Sequence, residues 1–299
     1  MTDAGTIAIG ATETGEDDFE RHRRLLFSIA YRMLGSVADA EDAVQETWLR
    51  WHRADRDAVR SPREYLTATV TRLCIDHLRS ARVRREEYVG PWLPEPLLAP
   101  VEDDPLAAAV LAESLSTAFL LLLERLSETE RAAFLLREVF SFDYPEVARI
   151  VNRSEPATRQ LVKRARDRVT GGEARFAASA DEAQRLAHSF VDACASGDVD
   201  ALLALLSDDA VALTDGGGKA RAALNPILGR EKVARFFVGL ARKWPGWRMR
   251  FVEVNGGPGV LLHIAGLRRV MTFDARGGRI HAVYLVANPD KLHAFPTDL

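Results

Sequence analysis

Five prolines fall between residues 91 and 105, at Pro91, Pro94, Pro96, Pro100 and Pro105, in the middle of a chain otherwise written in helical periodicity. Each ring fixes φ and removes an amide donor, so no helix can run through this stretch. It reads instead as an extended, semi-rigid connector, and the chain must pack as separate units on either side of it. Its Trp92, Leu93 and Leu97 are apolar residues exposed between prolines, which would dock on something. At 299 residues there is enough chain for two or three such units.

Residues 1–16 carry no periodicity and are expected to be disordered. A first unit over 17–87 follows. Phe19, Leu26, Ile29, Met33 and Leu34 recur at helical spacing, and Gly35 ends that helix. Ser36 offers an N-cap to a second helix, whose inner face is Ala40, Ala43, Val44, Thr47, Trp48 and Trp51. A capping box, Ser61-Pro62-Arg63-Glu64, opens a third, with Leu66, Val70, Leu73, Cys74, His77, Leu78 and Ala81 inward. After the connector, 88–105, helical pattern resumes over 106–171. From 172 to 287 the pattern changes: three helices precede short β-type runs separated by turn signals such as Asn255-Gly256-Gly257 and Gly277-Gly278. Helices followed by hairpin-connected strands predict an α+β unit with an antiparallel sheet. A short tail, 288–299, remains.

The segment 143–169 has the form of a helix-turn-helix. Asp143 can cap a short helix with Val147, Ala148 and Val151 inward; Asn152–Ser154 supplies a tight turn, and Ser154 caps a second helix begun by Glu155 and Pro156. On that second helix Leu161, Val162, Ala165 and Val169 face inward. Arg159, Gln160, Lys163, Arg164 and Arg166 project outward, and their fork-shaped donors suit base edges and phosphates in a major groove. The alternative is a solvated basic face on an ordinary helical hairpin.

A second basic stretch, Arg72, Asp76, His77, Arg79, Arg82, Arg84 and Arg85, occupies the third helix and its exit; alone it is a charged helix end. Asp39, Asp42 and Glu46, with Gln45 alongside, form an acidic stripe on the second helix; a solvated surface is the default reading of such a stripe, and a basic protein partner would explain the mutual repulsion of its charges better. The formal net charge of −3 argues against a protein that coats nucleic acid unaided. Two cysteines, Cys74 and Cys194, read as small core residues, and no metal or cofactor motif is present. The acidic start and the lack of a long apolar run predict a cytoplasmic protein without a membrane segment.

In this order the pieces resemble the sigma-70 superfamily in its smallest, extracytoplasmic-function form. Asp39–Trp48 is similar to the segment that grips core RNA polymerase, Thr69–Arg85 to the helix that captures the −10 promoter element, with the preceding loop Arg53–Ser61 holding a flipped base, and Leu126–Val169 to the −35-reading domain. Three further signatures resemble the subfamily that carries a SnoaL-like extension of the NTF2-like fold: Trp92-Leu93-Pro94-Glu95-Pro96, Asp215-Gly216-Gly217-Gly218-Lys219 and Asn288-Pro289-Asp290-Lys291-Leu292. The resemblance implies two all-α sigma domains and a SnoaL-like domain with a curved antiparallel sheet. It also implies a monomer when free, whose third domain regulates the first two by intramolecular contact with them and the linker, in place of a separate anti-sigma protein.

Two other readings stay open. The glycine loop could bind phosphate, but its spacing is not that of a P-loop, and a turn allowing close backbone approach fits it better. SnoaL-like folds include enzymes, and His263, Asp274 and His281 lie on predicted strands, yet no coupled pair can be placed from sequence, so no catalytic residue is assigned.

Overall fold

The computed structural model describes residues 10–86, 88–98, 115–170 and 178–296, with the backbone alone for 10–16, 81–86 and 170. It divides into two compact units, one running to Ser80 and resuming over Leu126–Arg166, the other taking Ala81–Arg125 and everything from Asp167.

In the first unit, α1 (Gly10–Leu34) buries Phe19, Leu26, Ile29, Met33 and Leu34, the stripe expected from sequence. It starts inside the stretch expected to be disordered, where acidic Glu13 and Glu16 suit a helix N-terminus; residues 1–9 lie outside the described ones. Gly35 closes it in the left-handed region at φ 68°. Ser36 caps α2 (Val37–Arg53), which buries Ala40, Val44, Thr47 and Trp51. Next comes α3 (Pro62–Glu86), whose Leu66, Val70 and Cys74 complete the core. Burial pushes the Cys74 thiol well above its ordinary range, so it stays an unreactive core group.

The helices over Leu126–Arg166 fall in the same compact unit as α1, α2 and α3. Within the unit, α5 (Glu128–Phe134), continued by a π-helical turn over Leu135–Val139, sends the buried guanidinium of Arg131 to the Met33 carbonyl at 2.6 Å. The Arg63 guanidinium lies 4.2 Å over the Phe142 ring. Then follow α6 (Tyr144–Val151) and α7 (Glu155–Thr170).

The second unit is built on a six-stranded sheet in the order β2-β1-β6-β5-β4-β3: β1 (Leu206–Asp215), β2 (Ile227–Leu228), β3 (Arg248–Val254), β4 (Gly257–Ile264), β5 (Leu267–Arg276) and β6 (Arg279–Val286). The pairing is antiparallel except that β1 runs parallel to β6, so the sheet is mixed, not wholly antiparallel. Alternation in a sequence reports which face a residue takes, not which way a neighbouring strand runs, so this was not legible beforehand. On one face α8 (Ala180–Ser196), α9 (Val199–Leu205) and α10 (Arg230–Lys243) bury Phe190, Leu202, Val233 and Phe237 against Val260, Leu262 and Val283.

The other face holds the connector and the tail. Leu93 and Leu98 of the connector, Ala118 and Leu121 of α4 (Thr117–Leu123), and Leu292 and Phe295 of the tail pack on Leu261, Val270 and Tyr284. Extended backbone lets the connector bond across a turn of the sheet: Leu97 N–H donates to Asn255 Oδ1 at 2.9 Å, and Asn255 N–H donates to the Leu97 carbonyl at 2.8 Å. Among the described residues no helix is long and apolar enough to cross a membrane.

Leu93 is fully buried in this second face. Leu93→Ala is expected to cost about 2–5 kcal/mol, the range for a truncated core leucine, read as a lowered urea midpoint.

Candidate functional site

The helix-turn-helix forms as its caps demand. Asp143 and Glu146 make a reciprocal capping box on α6. Asn152 terminates that helix in the left-handed region at φ 53° and ψ 58°, and Ser154 Oγ accepts the Ala157 N–H to open α7. Val147, Ala148, Ile150 and Val151 of α6 and Thr158, Val162, Ala165 and Val169 of α7 are buried; Leu161, expected inward, is only half-buried.

The outer residues emerge as expected: Ser154, Arg159, Gln160, Lys163, Arg164 and Arg166 are exposed and Glu155 half-exposed. Three of the cations have neighbours. Arg159 pairs with Glu155 at 2.6 Å and lies 4.1 Å over the Tyr144 ring, Arg166 pairs with Glu138 at 2.7 Å, and Arg164 stands 4.0 Å from Glu130. Exposed pairs of this kind are worth about 0–1 kcal/mol, too little to hold an arginine against a phosphate or a guanine edge.

The second basic stretch is engaged differently. Arg72 Nε and Nη2 donate to the carbonyls of Ile150 and Arg149 at 3.1 and 2.9 Å, filling acceptors that the end of α6 leaves open. Arg79 pairs with Glu128 at 3.2 Å and Asp76 at 3.4 Å, and His77 lies 3.7 Å from Asp39. Arg72, Asp76, Arg79, Asn152 and Arg153 line a cleft of about 510 Å³. The side chains of Arg82, Arg84 and Arg85 lie outside those described. On α2 the acidic stripe points away from the buried face: Asp42 and Gln45 are exposed, and Glu46 accepts from Arg50 at 2.8 Å. Within the loop 53–61, Arg56 lies 5.7 Å over Trp51.

The three signature motifs meet around one carboxylate. Asp215, at the end of β1, is fully buried; Oδ1 accepts from Tyr88 Oη at 2.6 Å, and Oδ2 accepts from Leu93 N–H at 2.9 Å and Lys291 Nζ at 2.8 Å. Lys291 also donates to the Leu93 carbonyl at 2.6 Å, and its ammonium lies 4.4 Å over the Trp92 ring. Asn288 caps the turn Pro289–Lys291 and donates to Tyr88 Oη at 3.0 Å, while Lys219 pairs with Asp290. Pro94, Glu95 and Pro96 are buried beside Leu93.

The glycines of the loop are required by contact. A Cβ on Gly216 would stand 2.2 Å from the Ala220 carbonyl, and one on Gly217, at φ 56°, 2.3 Å from Asn288 Nδ2. Burial and the bond to Asp215 push the Tyr88 phenol well above its usual range. Sequence reasoning missed Tyr88 and Asn255. Tyr88 precedes the signature, and Asn255 looked like turn chemistry alone, although its Nδ2 also donates to the Leu115 carbonyl at 2.9 Å.

The three residues weighed for catalysis do not converge. His263 lies on β4, Asp274 bonds Arg276 at 3.3 Å, and His281 stands 3.8 Å from Asp209. None lines the small apolar cavity of about 40 Å³ between α8, α10 and the sheet, which is bounded by Val191, Cys194, Phe237, Trp247 and Met271. Among the described residues no group of three His, Cys, Asp or Glu side chains could hold a metal.

Removing one partner of a buried ion pair strands the other, so Asp215→Asn is expected to cost about 3–5 kcal/mol in chemical denaturation. Tyr88 gives a pH signature. Because its folded pKa is raised, the stability it confers is complete below its ordinary value of about 10 and is lost as pH rises above it. Between pH 8 and about 11 the parent chain should therefore lose more stability than Tyr88→Phe does, in parallel denaturation series.

Family models match three successive parts of the chain: Sigma-70 region 2 over residues 19–84, Sigma-70 region 4 over 116–169, and a SnoaL-like domain over 187–287. The chain is 41% identical over 292 residues to the ECF RNA polymerase sigma factor SigJ of Mycobacterium tuberculosis, with 93% of each covered. It is 32% identical over 286 residues to the probable ECF RNA polymerase sigma factor SigI of that species, covering 93% of this chain and 94% of that one. The crystal structure of the M. tuberculosis SigJ protein matches with a TM-score of 0.77 at 37% identity, over 95% of this chain and 100% of that one. An acidic second helix, a helix-turn-helix and an α+β third domain in this order, with relatives matched over nearly their full length, establish that the chain belongs to the extracytoplasmic-function sigma factors that carry a C-terminal SnoaL-like domain.

Proposed function

We propose that this sigma factor directs core RNA polymerase to its promoters, and that its SnoaL-like domain is a built-in regulator of that activity. In this reading the stripe of Asp39, Asp42, Gln45 and Glu46 meets polymerase. The outer face of α7, led by Arg159 and Gln160, reads the −35 element, and the far part of α3 serves the −10 element. The regulatory reading rests on one observation above all, the convergence of linker, glycine loop and tail on Asp215 and Lys291. A linker bonded in this way is restrained by the third domain, so the state of that domain can set the freedom of the segment joining the two sigma domains.

In vitro transcription with core polymerase tests both parts. Asp42→Lys with Glu46→Lys should weaken polymerase binding while leaving DNA contacts alone. Replacing Arg159 and Gln160 should relax or abolish −35 selectivity, at about 1–3 kcal/mol per lost base contact. Because Leu292 and Phe295 of the tail are buried in the sheet-face core, the test keeps them: Lys291→Gln, which can still donate toward Leu93 but loses the charge on Asp215, should transcribe at a different level from the full chain, with folding checked by circular dichroism. Unchanged output would remove the regulatory role. Tight sequence-specific DNA binding by the chain alone, with no effect on polymerase, would replace the sigma reading with that of an independent regulator.

A further inference from the structure

Register places three basic side chains in a row on the linker-bearing face of the sheet. Arg248 of β3 is directly opposite His263 of β4, and His263 is directly opposite Arg268 of β5. Arg250, two residues from Arg248, shares that face. Directly opposed side chains stand close enough to interact, so two cations, Arg248 and Arg268, flank the His263 ring. A row of this kind needs an opposite charge.

Among the described residues no such charge is paired with the row. Asp215, Asp274 and Asp290, on this side of the sheet, are engaged by Lys291, Arg276 and Lys219. Among the described residues no carboxylate pairs with Arg248, Arg250 or Arg268, and Arg268 donates to the neutral carbonyl of Phe295. In the centre of the row, His263 Nε2 is shielded from solvent and has no hydrogen-bond partner. A shielded nitrogen without a partner marks a position where something bonds, because its desolvation is otherwise uncompensated. Val252, Leu261 and Val270 beside the row lower the local dielectric and strengthen attraction to an anion.

We propose that Arg248, His263 and Arg268 form a binding site for a phosphate-bearing small molecule. Two guanidinium forks flank an imidazole N–H, a donor set that matches the several oxygens of one phosphate group. The central donor is sunk beneath the surface. That favours a compact group that enters between the arginine stems over a nucleic-acid backbone lying across them. Because Arg268 also holds the Phe295 carbonyl, an occupant would compete with the tail for the same guanidinium. The site does not depend on the regulatory reading, since its occupancy is measured on the protein alone.

The test is a titration of the full-length chain with inorganic phosphate and then phenyl phosphate, at ionic strength held constant with chloride, followed through the imidazole NMR signals. His263→Gln assigns the His263 signal. That signal should move saturably, while those of His188 and His281 in the same domain stay in place. Arg248→Gln, at an exposed position that touches neither the core nor the tail, should weaken the apparent affinity by about tenfold, as loss of one charged hydrogen bond predicts. Three results would overturn the proposal: a His263 signal that does not saturate or follows chloride equally, a response unchanged in Arg248→Gln, or a response to duplex DNA with none to either phosphate.

Discussion

The second unit depends on the bonds made by Asp215. A carboxylate taken fully out of water is costly unless every oxygen is bonded, and here the bonds come from two remote stretches of chain: Tyr88 and Leu93 of the linker, and Lys291 of the tail. The ion pair itself adds little net stability, because desolvation offsets most of the attraction. What it supplies is specificity. Only one register of linker against tail lets Lys291 reach both Asp215 and the Leu93 carbonyl, so the hydrophobic contacts of Leu93, Leu292 and Phe295 are made in one arrangement.

The first unit uses a related device with arginines. Helix ends leave carbonyls without intrahelical partners, and guanidinium groups have donors enough to satisfy them. Arg131 does this for Met33 and Arg72 for Arg149 and Ile150. The residues read from sequence as a −10 surface therefore have a structural use here as well. Surface pairs such as Arg79 with Glu128 exchange cheaply for phosphate, whereas the buried bond of Arg131 does not.

Much of the architecture was legible because local rules and global packing agree. The capping boxes at Ser127 and Asp143, the left-handed stop at Asn152 and the stripe of Leu26, Ile29 and Met33 are properties of a few neighbouring residues, and each formed where those residues stand. The outward cations of α7 follow from the same periodicity. Tyr88, Asn255 and the direction of β1 were not legible, since each takes its meaning from a partner more than 60 residues away.

By itself the sequence determined the elements, their faces and the presence of three motifs, because periodicity, caps and proline chemistry act over a turn or two of chain. Only the tertiary structure decided that those motifs share one carboxylate, that the connector lies on a sheet face, and that Arg248, His263 and Arg268 stand in line. Those facts come from strand register and from closing long loops, and the free energy of such closure resides in contacts between residues that no local pattern connects.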